Sequence, residues 1–209
     1  MISKICSKIM RRIRAKMPEV DDERAEVIQF GLEILIGEVP KIFILLFTAW
    51  ILGILEYSII SILIILPYRA FSGGIHLKTH ICCVIWTTAF YCGNAYISKI
   101  VNFPNFTSRV IFSIFVLIFS FIMVTLYAPA DTENVPILRK SDRKRKKIYS
   151  YITVITMTII SFFIKNQIIS NMIIIGMLLQ SLMISKIAYR ISGVKLGYLE
   201  YIKTQKNVI

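Results

Sequence analysis

Runs of Ile, Leu, Phe and Val separated by short polar breaks occupy positions 28–55, 57–67, 81–98, 108–128, 148–164 and 168–186. A helix crossing the hydrocarbon layer needs about 20 such residues, and the last four runs meet that need as four clear spans. The first run is interrupted by Glu33, Glu38 and Pro40, and the second is short. Residues 28–67 are therefore expected to form a helical hairpin or a re-entrant unit. The pattern predicts an all-α polytopic membrane protein with about six apolar helical segments. Ahead of them, Ile2, Ile5, Ile9, Ile13 and Met17 recur at helical spacing, with Lys4, Lys8, Arg11, Arg12 and Lys16 around the other side. That arrangement predicts an amphipathic interfacial helix over 1–20, attracted to anionic membrane lipids. It holds no continuous apolar core of the signal-peptide kind, so no cleavage is expected. In 22–33, Asp22, Glu26, Gln29 and Glu33 form a polar stripe. Against lipid such a stripe costs about 2.5–3.5 kcal/mol per charge at mid-membrane, so it is expected to face a cavity, the cytoplasmic surface, a partner chain or water.

Composition agrees with the pattern. Of 209 residues 56% are hydrophobic, against roughly 45–50% in soluble domains. The 25 Lys and Arg residues outnumber the 12 Asp and Glu, but they flank apolar segments, and no soluble domain is left over to bind nucleic acid; none is expected as a partner. The longest polar interruption, 129–147, holds Pro129, Pro136 and the basic stretch from Arg139 to Lys147. Placing both termini and the loops at 68–80 and 129–147 in the cytoplasm collects 21 of the 25 Lys and Arg there, with Lys41, Lys99, Arg109 and Lys165 near the outer ends. The positive-inside rule selects that orientation. Cys6, Cys82, Cys83 and Cys92 are expected to be free thiols, since adjacent cysteines bridge poorly and the flanks are membrane.

Most of the reactive side chains fall in one polar break, from Arg69 through Gly73, Gly74, His76, Lys78 and His80 to Cys82 and Cys83. A nucleophilic cysteine needs a base or cation to favour thiolate and donors to stabilise an oxyanion. Gly73-Gly74 permits backbone angles closed to other residues, and a helix capped by Thr79 would aim its free amides and positive dipole end at Cys82 or Cys83. His76 and Cys83 are seven apart, which on a straight helix is about 10.5 Å, so that pair requires a bend. His80 and Cys83 would touch on one helix turn. A third arrangement sets His76, His80 and Cys83 on one helix face as zinc ligands. Asp131 and Glu133 lie on the same presumed side; as loop acids flanked by proline they are expected to be solvated and stay outside the catalytic set.

The order Arg69, Gly73-Gly74, His76 and then Cys83 resembles the signature of the AgrB family, membrane cysteine endopeptidases of bacterial quorum sensing. Tyr127 to Ile137 (Tyr-Ala-Pro-Ala-Asp-Thr-Glu-Asn-Val-Pro-Ile) resembles a second family segment. The resemblance implies one integral membrane peptidase domain over 1–209, with the catalytic loop and helix start at 68–83, in a bacterial plasma membrane. It implies Cys83 as nucleophile, His76 as base, and Arg69 and Gly74, with Gly73, organising the loop. The substrate implied is a small amphipathic AgrD-like propeptide whose acidic carboxyl tail is removed through an acyl-enzyme thioester, the retained part closing to a thiolactone or lactone. Arg69, Lys78 and the 139–147 cluster are candidates to receive the acidic tail. A homodimer is implied, and no cofactor or metal. A small transporter using Glu33 and Glu38, or a zinc-dependent protease, are the rival readings.

Overall fold

The computed structural model describes residues 2–17, 19–75, 77, 79–132, 136–198 and 201–202. Among them eight helices follow one another: α1 (Ile2–Lys16), α2 (Asp22–Ile51), α3 (Leu55–Ser72), α4 (His80–Ile100), α5 (Phe106–Tyr127), α6 (Lys140–Phe163), α7 (Gln167–Met183) and α8 (Lys186–Ser192). There is no strand among the described residues, only an isolated bridge between Gly73 and Ala130. Helices α2 (over Arg24–Ile51), α3, α4 and α5 are long and apolar enough to cross a membrane, and α7 with α8, bent by 65°, makes up to five. The chain is a membrane protein. The uncertain 28–67 stretch resolves into a hairpin of two helices, α2 and α3, each continuing through an internal proline, Pro40 and Pro67. Neighbouring helices and local adjustment let membrane helices tolerate such breaks.

The six apolar runs become α2 to α7, and α7 is the hub, touching α3, α4, α5, α6 and α8. Its composition explains its place. Lipid tails are as apolar as leucine, so a lipid-embedded bundle coheres through small residues, close packing and interhelical hydrogen bonds. The α7 residues Ser170, Asn171, Gly176, Gln180 and Ser181 are buried, while Phe47, Ile81, Phe163 and Ile191 face outward. Asn94 donates to Ser61 Oγ (2.9 Å) and to the Met172 carbonyl (3.2 Å). Tyr68, Ser181 and Ser120 are linked by two bonds of 2.8 Å. At Gly176 a Cβ would lie 2.9 Å from Ile65 Cγ1 and 3.2 Å from Asn94 Nδ2, so α3 and α4 close directly on the α7 backbone. Gly176→Ala is accordingly expected to destabilise the bundle by about 1–3 kcal/mol, the usual range for overpacking. The thermal midpoint in detergent should fall, and combining the change with Ile65→Ala should lower the midpoint by less than the sum of the two single changes.

Hydrogen bonds define two ends. At one, the C-termini of α3, α5 and α7 meet the N-termini of α4 and α6. At the other, Arg109 donates to the Ser161 carbonyl (2.5 Å) and to Ser170 Oγ, and Gln167 donates to Asn102 (3.0 Å). Lys41, expected near that second end, lies instead within α2, one turn beyond Gly37, where a Cβ would come 3.8 Å from His80 Cε1 at the start of α4. The cause is the length of α2. Its 30 residues rise about 45 Å, so its first half projects past α4. Lys41 is buried and paired with Glu38 at 2.5 Å.

The polar stripe of α2 meets α1. Arg14 pairs with Asp22, Gln29 donates to Glu33 (3.3 Å), and Arg11, Arg14, Asp22, Glu26 and Gln29 line one shared pocket. Cys6 and Met10 are buried in α1, whereas Ile5 and Met17 of its expected apolar stripe stay exposed. The basic stretch after Arg139 is also helical, because α6 begins at Lys140. Lysine and arginine are good helix formers, and the two prolines break the chain only before that point.

Candidate functional site

Helix α3 ends because Gly73 adopts φ 76°, ψ −149°, a conformation L side chains rarely enter. The Gly73 N–H still donates to the Arg69 carbonyl (3.0 Å), and the chain then runs alongside 128–132: the Ala130 N–H donates to Ser72 O (2.8 Å) and the Gly74 N–H to Ala130 O (2.9 Å). The approach is close enough that a Cβ on Gly73 would sit 2.2 Å from the Ala130 carbonyl oxygen. Gly74 also has positive φ, 143°. Arg69 reaches over this turn, donating to the Ile75 carbonyl (3.2 Å) and to Gln180 Oε1 (3.4 Å), with its guanidinium 5.9 Å from the Phe90 ring centroid. Gln180 Nε2 donates to the Gly73 carbonyl (2.7 Å) and to Ser72 Oγ (3.0 Å). Arg69, Gly73 and Gly74 thus come together around Gln180, a residue the sequence reading did not select.

Helix α4 starts as expected. Thr79 is its N-cap, its hydroxyl accepting from the Cys82 N–H at 3.3 Å, while the Cys83 N–H donates to the Thr79 carbonyl at 3.0 Å. All four cysteines are free; Cys82 is exposed and Cys83 half-buried. Spacing puts Cys83, Trp86 and Phe90 on one face of α4. Beside that face lies an apolar cavity of about 400 Å³ whose walls include Ile75, Leu77, Trp86, Leu182, Met183 and Ala188. A narrower one of about 180 Å³ shares Trp86 and Met183 and continues along α4 to Asn94. His76, Lys78 and Glu133 lie outside the described residues. No hydrogen bond joins the described side chains of His80 and Cys83, and His80 is exposed with its ring edge toward Gly37 of α2. Helix α4 begins at His80 behind the extended cap Thr79; the arrangement of His76, His80 and Cys83 as zinc ligands includes His76 and so lies outside the described residues.

Asp131 corrects an expectation. Instead of being solvated it is buried, its side chain 1% exposed, with Oδ2 bonded to Arg143 (2.9 Å) and to the Ile137 N–H (2.9 Å). Arg143 donates to the Pro129 carbonyl (3.2 Å) and stacks 4.2 Å from the Tyr198 ring centroid, and the Tyr189 hydroxyl donates to the Asp131 carbonyl (3.0 Å). The second motif is therefore a strut that fixes 128–132 against Gly73. The acids assigned to the transport reading are occupied within the chain, Glu38 by Lys41 and Glu33 by Gln29.

A sequence model described as accessory gene regulator B matches residues 4–184. Among curated proteins, an AgrB-like protein 2 of Clostridium perfringens (strain 13) is 27% identical, the match covering 76% of this chain and 78% of that protein. AgrB-like proteins of Clostridium acetobutylicum, 26% identical over 86% and 84% of the two chains, and of Listeria innocua, 27% identical over 88% and 87%, are similar. No solved structure matches. The family match spans most of the chain, including Arg69, the double glycine and Cys83, and the chain belongs to the accessory gene regulator B family.

Proposed function

We propose that this protein is a membrane cysteine endopeptidase that cuts the acidic carboxyl tail from a small AgrD-like propeptide and closes the retained part into a ring. The observation that carries the reading is the placement of Cys83: half-buried in the first turn of α4, one turn before Trp86, which with Ile75 and Leu77 of the preceding loop and residues of α7 and α8 lines an apolar cavity. The free amides and positive end of a helix stabilise negative charge that develops at its first turn. His76 is assigned as the base that takes the thiol proton. The Cys83 sulfur attacks the carbonyl before the acidic tail, the carbon–nitrogen bond breaks, and the imidazolium returns its proton to the departing amine. A cysteine thiol or hydroxyl in the retained peptide then attacks the thioester, its proton passing to the histidine, which releases Cys83 as thiolate and leaves a thiolactone or lactone.

Exchange between thioesters is nearly balanced in energy and hydrolysis is not, so ring closure requires water to be kept from the acyl-enzyme. The apolar cavity supports that part of the reading. Arg69, Gly73 and Gly74 hold the loop, and Lys78 with the basic first turns of α6 attracts the acidic tail, an attraction that salt would weaken. The whole chain acts as one catalytic unit, with the Gly73 end of the bundle and both termini on the cytoplasmic side, the exposed stripe of α1 on anionic lipid, and two copies forming a homodimer.

The test is to incubate the purified protein in lipid vesicles with the propeptide from the same organism and follow products by mass. Appearance of the free acidic tail is expected, together with a peptide lighter than the propeptide by the mass of that free tail and therefore one water lighter than the linear hydrolysis product. Vesicle uptake or release of intact propeptide without any cleaved product would instead favour a transporter.

A further inference from the structure

We propose that Gln180 is a positioning residue for the turn that precedes Cys83, holding it from the central helix; this rests on the peptidase reading above. Gln180 is fully buried on α7, in a helix whose other polar residues stitch it to its neighbours, and all of its directed capacity is spent on one target. Its two N–H groups go to the Gly73 carbonyl (2.7 Å) and Ser72 Oγ (3.0 Å), and its carbonyl accepts from Arg69 (3.4 Å). Only one amide orientation serves both sides. The Gly73 carbonyl needs a donor and the arginine needs an acceptor, and a carboxamide is the side chain that offers the two together at that length.

The consequence is a clamp of two parts. Residues 128–132 hold the outside of the turn through backbone bonds to Ser72 and Gly74, and Gln180 holds the inside, while Arg69, steadied by Gln180, reaches on to the Ile75 carbonyl, directly before position 76. Burial makes the polar bonds matter: removing one partner leaves the other groups unsatisfied where water does not reach. Gln180 does not touch the sulfur, so it acts on the chemistry only through the placement of the loop.

Gln180→Met, close in length and apolar, removes both sets of bonds with little change in volume. Gln180→Glu keeps the acceptor for Arg69 and loses the donors to Gly73. Each variant is compared with the parent for cleavage kinetics in vesicles, for deuterium uptake at 70–82, and for thermal midpoint. The expected result is faster exchange confined to 70–82 in both variants, with kcat lowered about 10- to 100-fold, the cost of small misplacement of reacting groups, and KM within about twofold. Gln180→Glu should retain slower exchange next to Arg69 than Gln180→Met does. Unchanged exchange at 70–82 in both variants would overturn the role of Gln180 and leave the peptidase reading intact. Faster exchange spread through the whole bundle, with a lowered midpoint, would overturn it too, showing a purely structural part. Absence of cleavage by the parent protein would remove the peptidase reading, and the exchange comparison would still decide whether Gln180 holds the turn.

Discussion

Cys83→Ala is expected to lower propeptide cleavage by about 10⁴-fold or more, to background, while the variant still accumulates in the membrane at the parent's level. Deleting the nucleophile of a covalent mechanism removes the whole route rather than one contribution to it, which is why the effect is large and does not add to that of losing the base. The neighbouring Cys82→Ala is expected to keep most of the activity. The two thiols are adjacent in sequence but differ in place: Cys82 is exposed and Cys83 is half-buried, and successive helix residues point about 100° apart. Cys83 lies within about 20° of Phe90 around the helix and Cys82 about 80° from it, while Trp86, three residues from one and four from the other, flanks both. Cleavage rates measured at equal protein in vesicles, for both variants, check the assignment. Activity lost with Cys82→Ala and kept with Cys83→Ala would move the nucleophile by one position.

Gly73→Ala should also be strongly damaging, for a reason unrelated to reactivity. A methyl group at that position would meet the Ala130 carbonyl oxygen at 2.2 Å and the carbonyl carbon at 2.9 Å. Neither atom is at the end of a flexible side chain. Ala130 is tied to Ser72 through its own N–H, and the segment behind it is anchored by the buried Asp131 and Arg143. The turn would have to leave its partner, and the residue would also carry φ 76° with ψ −149°, an essentially glycine-only conformation that costs an L residue roughly 1–3 kcal/mol. Cleavage is expected to fall at least about 100-fold, with faster deuterium exchange at both 70–82 and 128–132. At Gly74 the same change meets Gln180 Nε2 at 3.6 Å, ordinary contact distance, so only backbone strain remains and the loss should be smaller. Equal effects at the two positions would mean that the bridge to Ala130 has no bearing on the site.

Hydrophobic spacing located seven of the eight helices among the described residues, α1 by its amphipathic repeat and α2 to α7 by long, nearly unbroken runs of apolar residues. It placed the hairpin less well. Pro40 and the acids at 33 and 38 resemble interruptions in sequence, whereas α2 continues through them, with Glu38 answered by Lys41 one turn on. The cap at Thr79 was legible, since a Ser or Thr hydroxyl before an apolar run has a specific job on the free amides behind it. The clamp was not. Gln180 is about a hundred residues away from the turn it holds, and within 168–186 it reads only as one polar residue in a greasy run. That oddity was the available signal, because polar side chains at such depth rarely lack a partner. The burial of Asp131 was hidden by the same distance effect, its arginine lying beyond Pro136 on the next helix.

In the proposed mechanism a thioester forms on the sulfur of Cys83. Rapid quenching of purified protein mixed with the propeptide in lipid, followed by digestion and mass spectrometry, should find the peptide containing Cys83 heavier by the retained part of the propeptide, with the adduct labile to hydroxylamine and missing from Cys83→Ala. Cleavage that proceeds at the full rate after Cys83 has been alkylated would contradict the account.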